Sequence, residues 1–177
     1  MAEVVDPQIE TGSISVHTEN IFPIIKKSLY SDHEIFVREL VSNAVDASQK
    51  LRHLADIGQY KEEVGDLKVV VTLDADKKTI TISDRGLGMS ADEVRKYINQ
   101  VAFSGAEEFV KKFTDLKDKR DSIIGQFGLG FYSAFMVAGT VEIDSRSYRA
   151  EETPVHWTCD GSTTYSLGTG TREDRGT

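Results

Sequence analysis

The chain has 177 residues, 39% hydrophobic and 28% charged, ordinary proportions for a globular domain with a real core. A formal net charge of −8 argues against non-specific nucleic-acid binding, and the single cysteine, Cys159, excludes an internal disulfide framework and suits a reducing compartment. There is no N-terminal apolar run of the signal-peptide kind, and no stretch approaches the roughly 20 apolar residues of a membrane span.

In chain order, residues 1–8 read as a tail. Residues 12–18, GSISVHT, alternate Ile14 and Val16 with polar residues and predict a short strand. An amphipathic helix follows over residues 19–29, with Pro23 in its first turn, where backbone donors lack helical partners anyway. Ser31 or Asp32 can cap the next helix, residues 35–51 (IFVRELVSNAVDASQKL), which runs on to about Ile57 and ends at Gly58. At 100° per residue, Phe36, Val37, Leu40, Val41, Ala44, Val45, Ala47 and Leu51 form its apolar face. Glu39, Asn43, Asp46 and Lys50 form a polar stripe beside that face, which is where a pocket wall would lie. A solvated Glu–Lys stripe fits the same spacing.

Residues 67–73 and 79–83 predict two strands joined by a polar turn, an antiparallel hairpin. Asp84-Arg85-Gly86-Leu87-Gly88-Met89 follows. A helix over residues 90–100 then starts with a capping box made by Ser90 and Glu93. Residues 104–122 are crowded with charge and bracketed by Gly105 and Gly125, as a hinged lid would be. Residues 123–133, IIGQFGLGFYS, form a glycine-rich turn into an apolar helix reaching Phe135 and Val137. Strands are predicted over residues 141–147, 155–159 and 163–167, with a turn at Gly161. Helices and strands fall in blocks, so the expected class is α+β, a mixed or antiparallel sheet covered by helices on one face. The four histidines, His17, His33, His53 and His156, have no metal-ligand spacing.

Two turns could carry chemistry. Gly128-Leu129-Gly130 before a helix suits phosphate, because free N–H groups there are unobstructed, although a tight structural turn fits equally well. No Gly-Lys-Ser/Thr follows, and the glycine order does not match GxGxxG, so standard P-loop and Rossmann readings are disfavoured. Asp84, at a strand end before Gly86 and Gly88, could accept a hydrogen bond from an exocyclic amine while a flat ring lies on the glycines. A plain Asp-Gly turn is the alternative.

The combination is more specific than its parts. Glu39-x-x-x-Asn43-x-x-Asp46-Ala47, Asp84-x-Gly86-x-Gly88 and Gly125-x-x-Gly128-x-Gly130 occur in that order, which resembles the GHKL ATPases: DNA gyrase, heat-shock protein 90, histidine kinases and MutL. The runs SLYSDHEIFVRELVSNAVDAS, SDRGLGMS and IGQFGLGFYSAFMVA resemble the N-terminal nucleotide-binding domain of heat-shock protein 90 chaperones of the bacterial HtpG type, from about Gly12 to Thr177.

That resemblance implies a two-layer α/β sandwich, the Bergerat or GHKL fold, with helices on one face of a mixed, mostly antiparallel sheet. It implies one nucleotide-binding domain over residues 1–177, with the last strand and the middle and C-terminal domains outside it. ATP or ADP would bind with Mg²⁺. Asp84 would take the adenine amine, Gly88 and Met89 would line the base, and Asp46 and Ala47 would face base and sugar. Asn43 would offer its side-chain oxygen to Mg²⁺. Asn99 would touch ribose or phosphate, and Gly128, Leu129, Gly130 and Phe131 would give backbone donors to the phosphates. Thr177 would reach the adenine through water, and Glu39 would orient the attacking water. Where many relatives have Ala-Lys-Ser-Gly this chain has Ala102-Phe103-Ser104-Gly105, which removes a lysine from the lid approach. The implied activity is ATP hydrolysis in a cytoplasmic chaperone acting on unfolded or partly folded client proteins. That chaperone would be a homodimer when full-length, with the domain alone monomeric and slow, and without nucleic-acid or membrane partners. Another GHKL ATPase or kinase, or a non-catalytic nucleotide sensor, would use the same pocket.

Overall fold

The computed structural model describes residues 34–99, 130–162 and 164–177. The strand expected at residues 12–18, the helix at 19–29, the lid at 104–122, and Gly128 and Leu129 lie outside them.

Helix α1, Ile35–Asp56, has no glycine or proline in its 22 residues, as the uninterrupted pattern predicts. Its cap position is Glu34, in place of the expected Ser31 or Asp32, which are outside the described residues. At the other end Gly58, at φ +74°, donates to the carbonyl of Ala55 at 3.0 Å, and Gln59 donates to that of Leu54 at 2.8 Å. That is the paired bonding of a Schellman stop. The buried residues of α1 are Ala44, Ser48 and Leu51. Val45, expected in the apolar face, is 39% exposed, and Ser48 takes a core position instead. Ser48 tolerates this because its hydroxyl donates to the Ala44 carbonyl at 3.0 Å.

Strands β1, Val70–Asp74, and β2, Thr79–Ser83, form the expected antiparallel hairpin. β1 begins later than the predicted Leu67, for a reason of length: β2 has five residues, and Val70 pairs with its last, Ser83. Helix α2, Ala91–Val94, carries the predicted capping box, with Glu93 N–H donating to Ser90 Oγ at 3.3 Å and Ser90 N–H donating to Glu93 Oε2 at 2.9 Å. Ser90→Ala is expected to cost about 1 kcal/mol, lowering the melting midpoint by about 2–4 °C in a thermal scan. Beyond Val94 the predicted helix widens into a π turn, Arg95–Asn99, which puts Ile98 in the core and Asn99 beside Trp157.

Residues Gly130–Met136 form a 3₁₀ helix, not the expected longer helix, and Val137 beyond it is exposed. Ser133 Oγ donates back to the Gly130 carbonyl inside this turn. Strands β3, Val141–Ser145, β4, Val155–Cys159, and β5, Ser166–Thr169, make an antiparallel three-stranded sheet. β5 starts three residues after the predicted 163, because Ser162 and Thr164 are tied into a local turn with Asp160.

The core lies between helical elements and one sheet face. Val94, Ile98, Tyr132, Phe135 and Met136 pack on Ile143, Val155, Trp157 and Cys159, whose burial alternates along β3 and β4. This is the expected α+β arrangement. All strand pairings among the described residues are antiparallel. The two sheets are stitched together by the last residues: Gly176 bridges Arg146, and Asp84 N–H donates to the Thr177 carbonyl at 2.9 Å.

Candidate nucleotide site

The predicted motifs converge on α1 at two levels. Near its start, Glu39 is 13% exposed and lies against Gly130, where a Cβ would come within 2.7 Å of Glu39 Oε2. Arg38 Nη2 sits 3.5 Å from Glu39 Oε1 and is 58% exposed, so solvent screens the pair and it adds little stability. Two turns on, Ala47 and Ser48 meet the Asp84 loop. A Cβ on Gly86 would lie 2.5 Å from the Ala47 carbonyl carbon and 2.6 Å from the Ser48 nitrogen, and Leu87 N–H donates to the Ala47 carbonyl at 3.3 Å. Glu39 and Ala47 are about 12 Å apart along the helix axis. An extended ligand could lie between them with unlike ends.

The loop itself is sewn on every side. Asp84 is buried, and its Oδ1 accepts Gly86 N–H at 2.7 Å. Burial raises the Asp84 carboxyl above the ordinary value, opposed by the Gly86 amide, the Arg172 charge and the Thr177 amide. Gly88, at φ +60°, passes so close to the end of β3 that a Cβ would fall 1.8 Å from the carbonyl oxygen of Arg146, the next residue. The two glycines are therefore required by the close approach of α1 and of Arg146, the residue after β3.

Ser145, fully buried at the end of β3, gathers three groups. Its Oγ accepts Met89 N–H at 2.8 Å and lies 2.8 Å from Thr177 Oγ1 and 3.2 Å from the Gly176 carbonyl. Asp84, Gly88, Met89 and Thr177 thus belong to one locality.

The exposed side chains of Asn43 and Asp46 are accessible, as ligand contacts must be, and Lys50 is exposed beyond them. Asn43 stands one turn from Glu39. One carboxamide oxygen completed by phosphate oxygens and water is a donor set that Mg²⁺ accepts. Asn99 has a structural tie: its Oδ1 accepts Trp157 Nε1–H at 3.0 Å. Its Nδ2 is buried with no partner among the described residues. Phe131 turns its ring into the core, toward Tyr132, Phe135 and Trp157, at centroid distances of 5.3, 6.4 and 5.6 Å.

Arg172 and Arg175 were not anticipated. Arg172 Nη2 donates to the Asp84 carbonyl at 2.8 Å, and Arg175 grips the next two peptides of the loop. The available signal was a pair of arginines beside Gly176-Thr177 in an acidic chain.

Residues 30–166 match the family model described as histidine kinase-, DNA gyrase B-, and HSP90-like ATPase. The chain is 58% identical over 166 residues to the chaperone protein HtpG of Porphyromonas gingivalis strain W83, covering 94% of this chain and 24% of that protein. It is 61% identical over 168 residues to HtpG of Bacteroides thetaiotaomicron, covering 95% and 24%, and 42% identical over 172 residues to HtpG of Desulfitobacterium hafniense, covering 96% and 28%. The chain spans about a quarter of the length of these relatives. The family match covers most of the sequence and includes α1, the Asp84 loop and the Gly130 turn, so the chain belongs to the histidine kinase-, DNA gyrase B- and HSP90-like ATPases.

Proposed function

We propose that this chain is the ATP-binding and ATP-hydrolysing unit of an ATP-dependent chaperone that assists protein folding. The observation that carries the reading is the convergence of two unlike sites on one helix, with Asp84 at the Ala47 level and Gly130 at the Glu39 level.

The residues divide the work along that axis. Asp84 Oδ2 accepts the exocyclic amine of adenine, while Oδ1 stays with Gly86. Gly88, Met89 and Thr177 frame the base, Asp46 and Ala47 the base and sugar, and Asn99 donates Nδ2 toward ribose or phosphate. The backbone around Gly128, Leu129, Gly130 and Phe131 donates to phosphate oxygens. Asn43 holds Mg²⁺, which supplies charge neutralisation on the phosphates when bound. Glu39, shielded from bulk solvent, orients the attacking water and takes its proton. In the intact protein these steps serve a cytoplasmic homodimer acting on unfolded or partly folded clients. The unit alone is monomeric, binds ATP and ADP, and turns over slowly.

Calorimetric titration with ADP and Mg²⁺ tests the binding part directly. One nucleotide per chain is the expected result. No heat together with no rise in melting temperature would sink the reading.

A further inference from the structure

We propose that Arg175 is a positioning residue for nucleobase recognition, acting on Asp84 through the backbone. The proposal rests on the adenine role of Asp84 given above.

Arg175 Nε donates to the carbonyl oxygens of Arg85 and Gly86, each at 3.1 Å. The Arg85 carbonyl belongs to the same peptide group as Gly86 N–H, and that N–H donates to Asp84 Oδ1 at 2.7 Å. The Gly86 carbonyl shares a peptide with Leu87 N–H, which donates to the Ala47 carbonyl of α1. In a planar trans peptide C=O and N–H point opposite ways, so a cation on one side fixes the donor on the other. Arg175 thus holds two consecutive peptides by their oxygens. One presents its N–H to the Asp84 carboxylate, and the other anchors the loop to α1. Polarisation runs the same way: a cation at the carbonyl strengthens the N–H as a donor. With Oδ1 held by Gly86 N–H, the orientation of the carboxylate depends on the same peptide that Arg175 holds.

The guanidinium is itself anchored. Arg175 Nη1 donates to the Tyr60 hydroxyl, Nη2 donates to the Val64 carbonyl at 2.6 Å, and the guanidinium carbon lies 5.1 Å from the Tyr60 ring centroid. Tyr60 is buried, so the clamp is braced against the segment that follows α1. A lysine, with a point charge and no planar fork, cannot satisfy these directions together.

The test compares ADP with inosine diphosphate, in which an oxo group replaces the exocyclic amine. Both are titrated calorimetrically into the parent protein, Arg175→Gln and Arg175→Lys, and hydrogen exchange at the Gly86 amide is followed in each. The parent is expected to prefer ADP. Arg175→Gln is expected to lose about tenfold in ADP affinity, the scale of one charge-assisted hydrogen bond, with inosine diphosphate nearly unchanged. The preference therefore collapses, and the Gly86 amide exchanges faster. Arg175→Lys should fall between the two. If Arg175→Gln does not fold, the lysine variant alone decides. An unchanged ratio of affinities, or an equal loss for both nucleotides, overturns the positioning role while leaving the ATPase reading intact. Failure of the parent to bind ADP strikes that reading instead.

Discussion

Glu39→Gln is expected to reduce ATP turnover in the full protein by about 10²-fold or more while leaving ADP affinity within about threefold. The substitution is nearly isosteric, so the close approach of Gly130 to the side chain is preserved. An amide, however, cannot accept the proton of an attacking water. Because the Glu39 side chain is only 13% exposed, bulk water does not readily substitute for it. Phosphate release under steady-state conditions, paired with calorimetry, separates chemistry from binding. Retained turnover with normal binding would remove Glu39 from the water-orienting role.

Asp84→Asn should have opposite effects on binding and on stability. Asparagine can keep its carbonyl on Gly86 N–H, but it then aims an NH₂ where the adenine amine arrives, donor against donor. ADP affinity is expected to fall by about 2 kcal/mol, roughly thirtyfold. Stability moves the other way. Burial raises the Asp84 carboxyl in the folded state, so between its ordinary value and the raised one the native protein binds more protons than the unfolded chain. Stability therefore falls as pH rises through that window, and at neutral pH the ionised carboxylate is a net cost to the fold. The variant is expected to melt at or above the parent temperature at pH 7, with the gap narrowing as pH is lowered into the carboxylate range. In the parent, ADP affinity should decline on acidification at a higher pH than an ordinary aspartate would give. A variant that binds ADP as tightly as the parent would refute the adenine assignment.

Much of this architecture is legible from local rules. An unbroken 22-residue run, a stopping Gly58, the hairpin flanking Asp74 to Lys78, and the Ser90–Glu93 box each follow from interactions spanning a few residues. The motif order Glu39–Asn43, Asp84–Gly88, Gly130 points to the site because each motif is contiguous. What was not legible is decided by distant partners. Ser48 occupies a core position that periodicity would assign only to an apolar side chain. The glycines of the Asp84 loop answer to α1 and to Arg146, about 40 and 60 residues away in sequence, and no spacing rule expresses that. Arg175 was invisible for the same reason, with partners at Arg85 and Tyr60 that no periodic pattern links to it.

Those long separations set an order of events at the ribosome. The Asp84 loop is held by Arg172, Arg175 and Thr177, which are translated roughly 90 residues after it, and Tyr60 waits 115 residues for Arg175. Chains emerge N-terminus first at about 5–20 residues per second, so α1 and the hairpin exist for several seconds before the base end of the pocket can close. During that interval a nascent chain has α1 and the hairpin, but the Asp84 loop lacks the arginines that hold its carbonyls. Nucleotide can then stabilise this domain only once Arg175 has emerged, so ligand capture follows the formation of α1 and the hairpin and does not guide it.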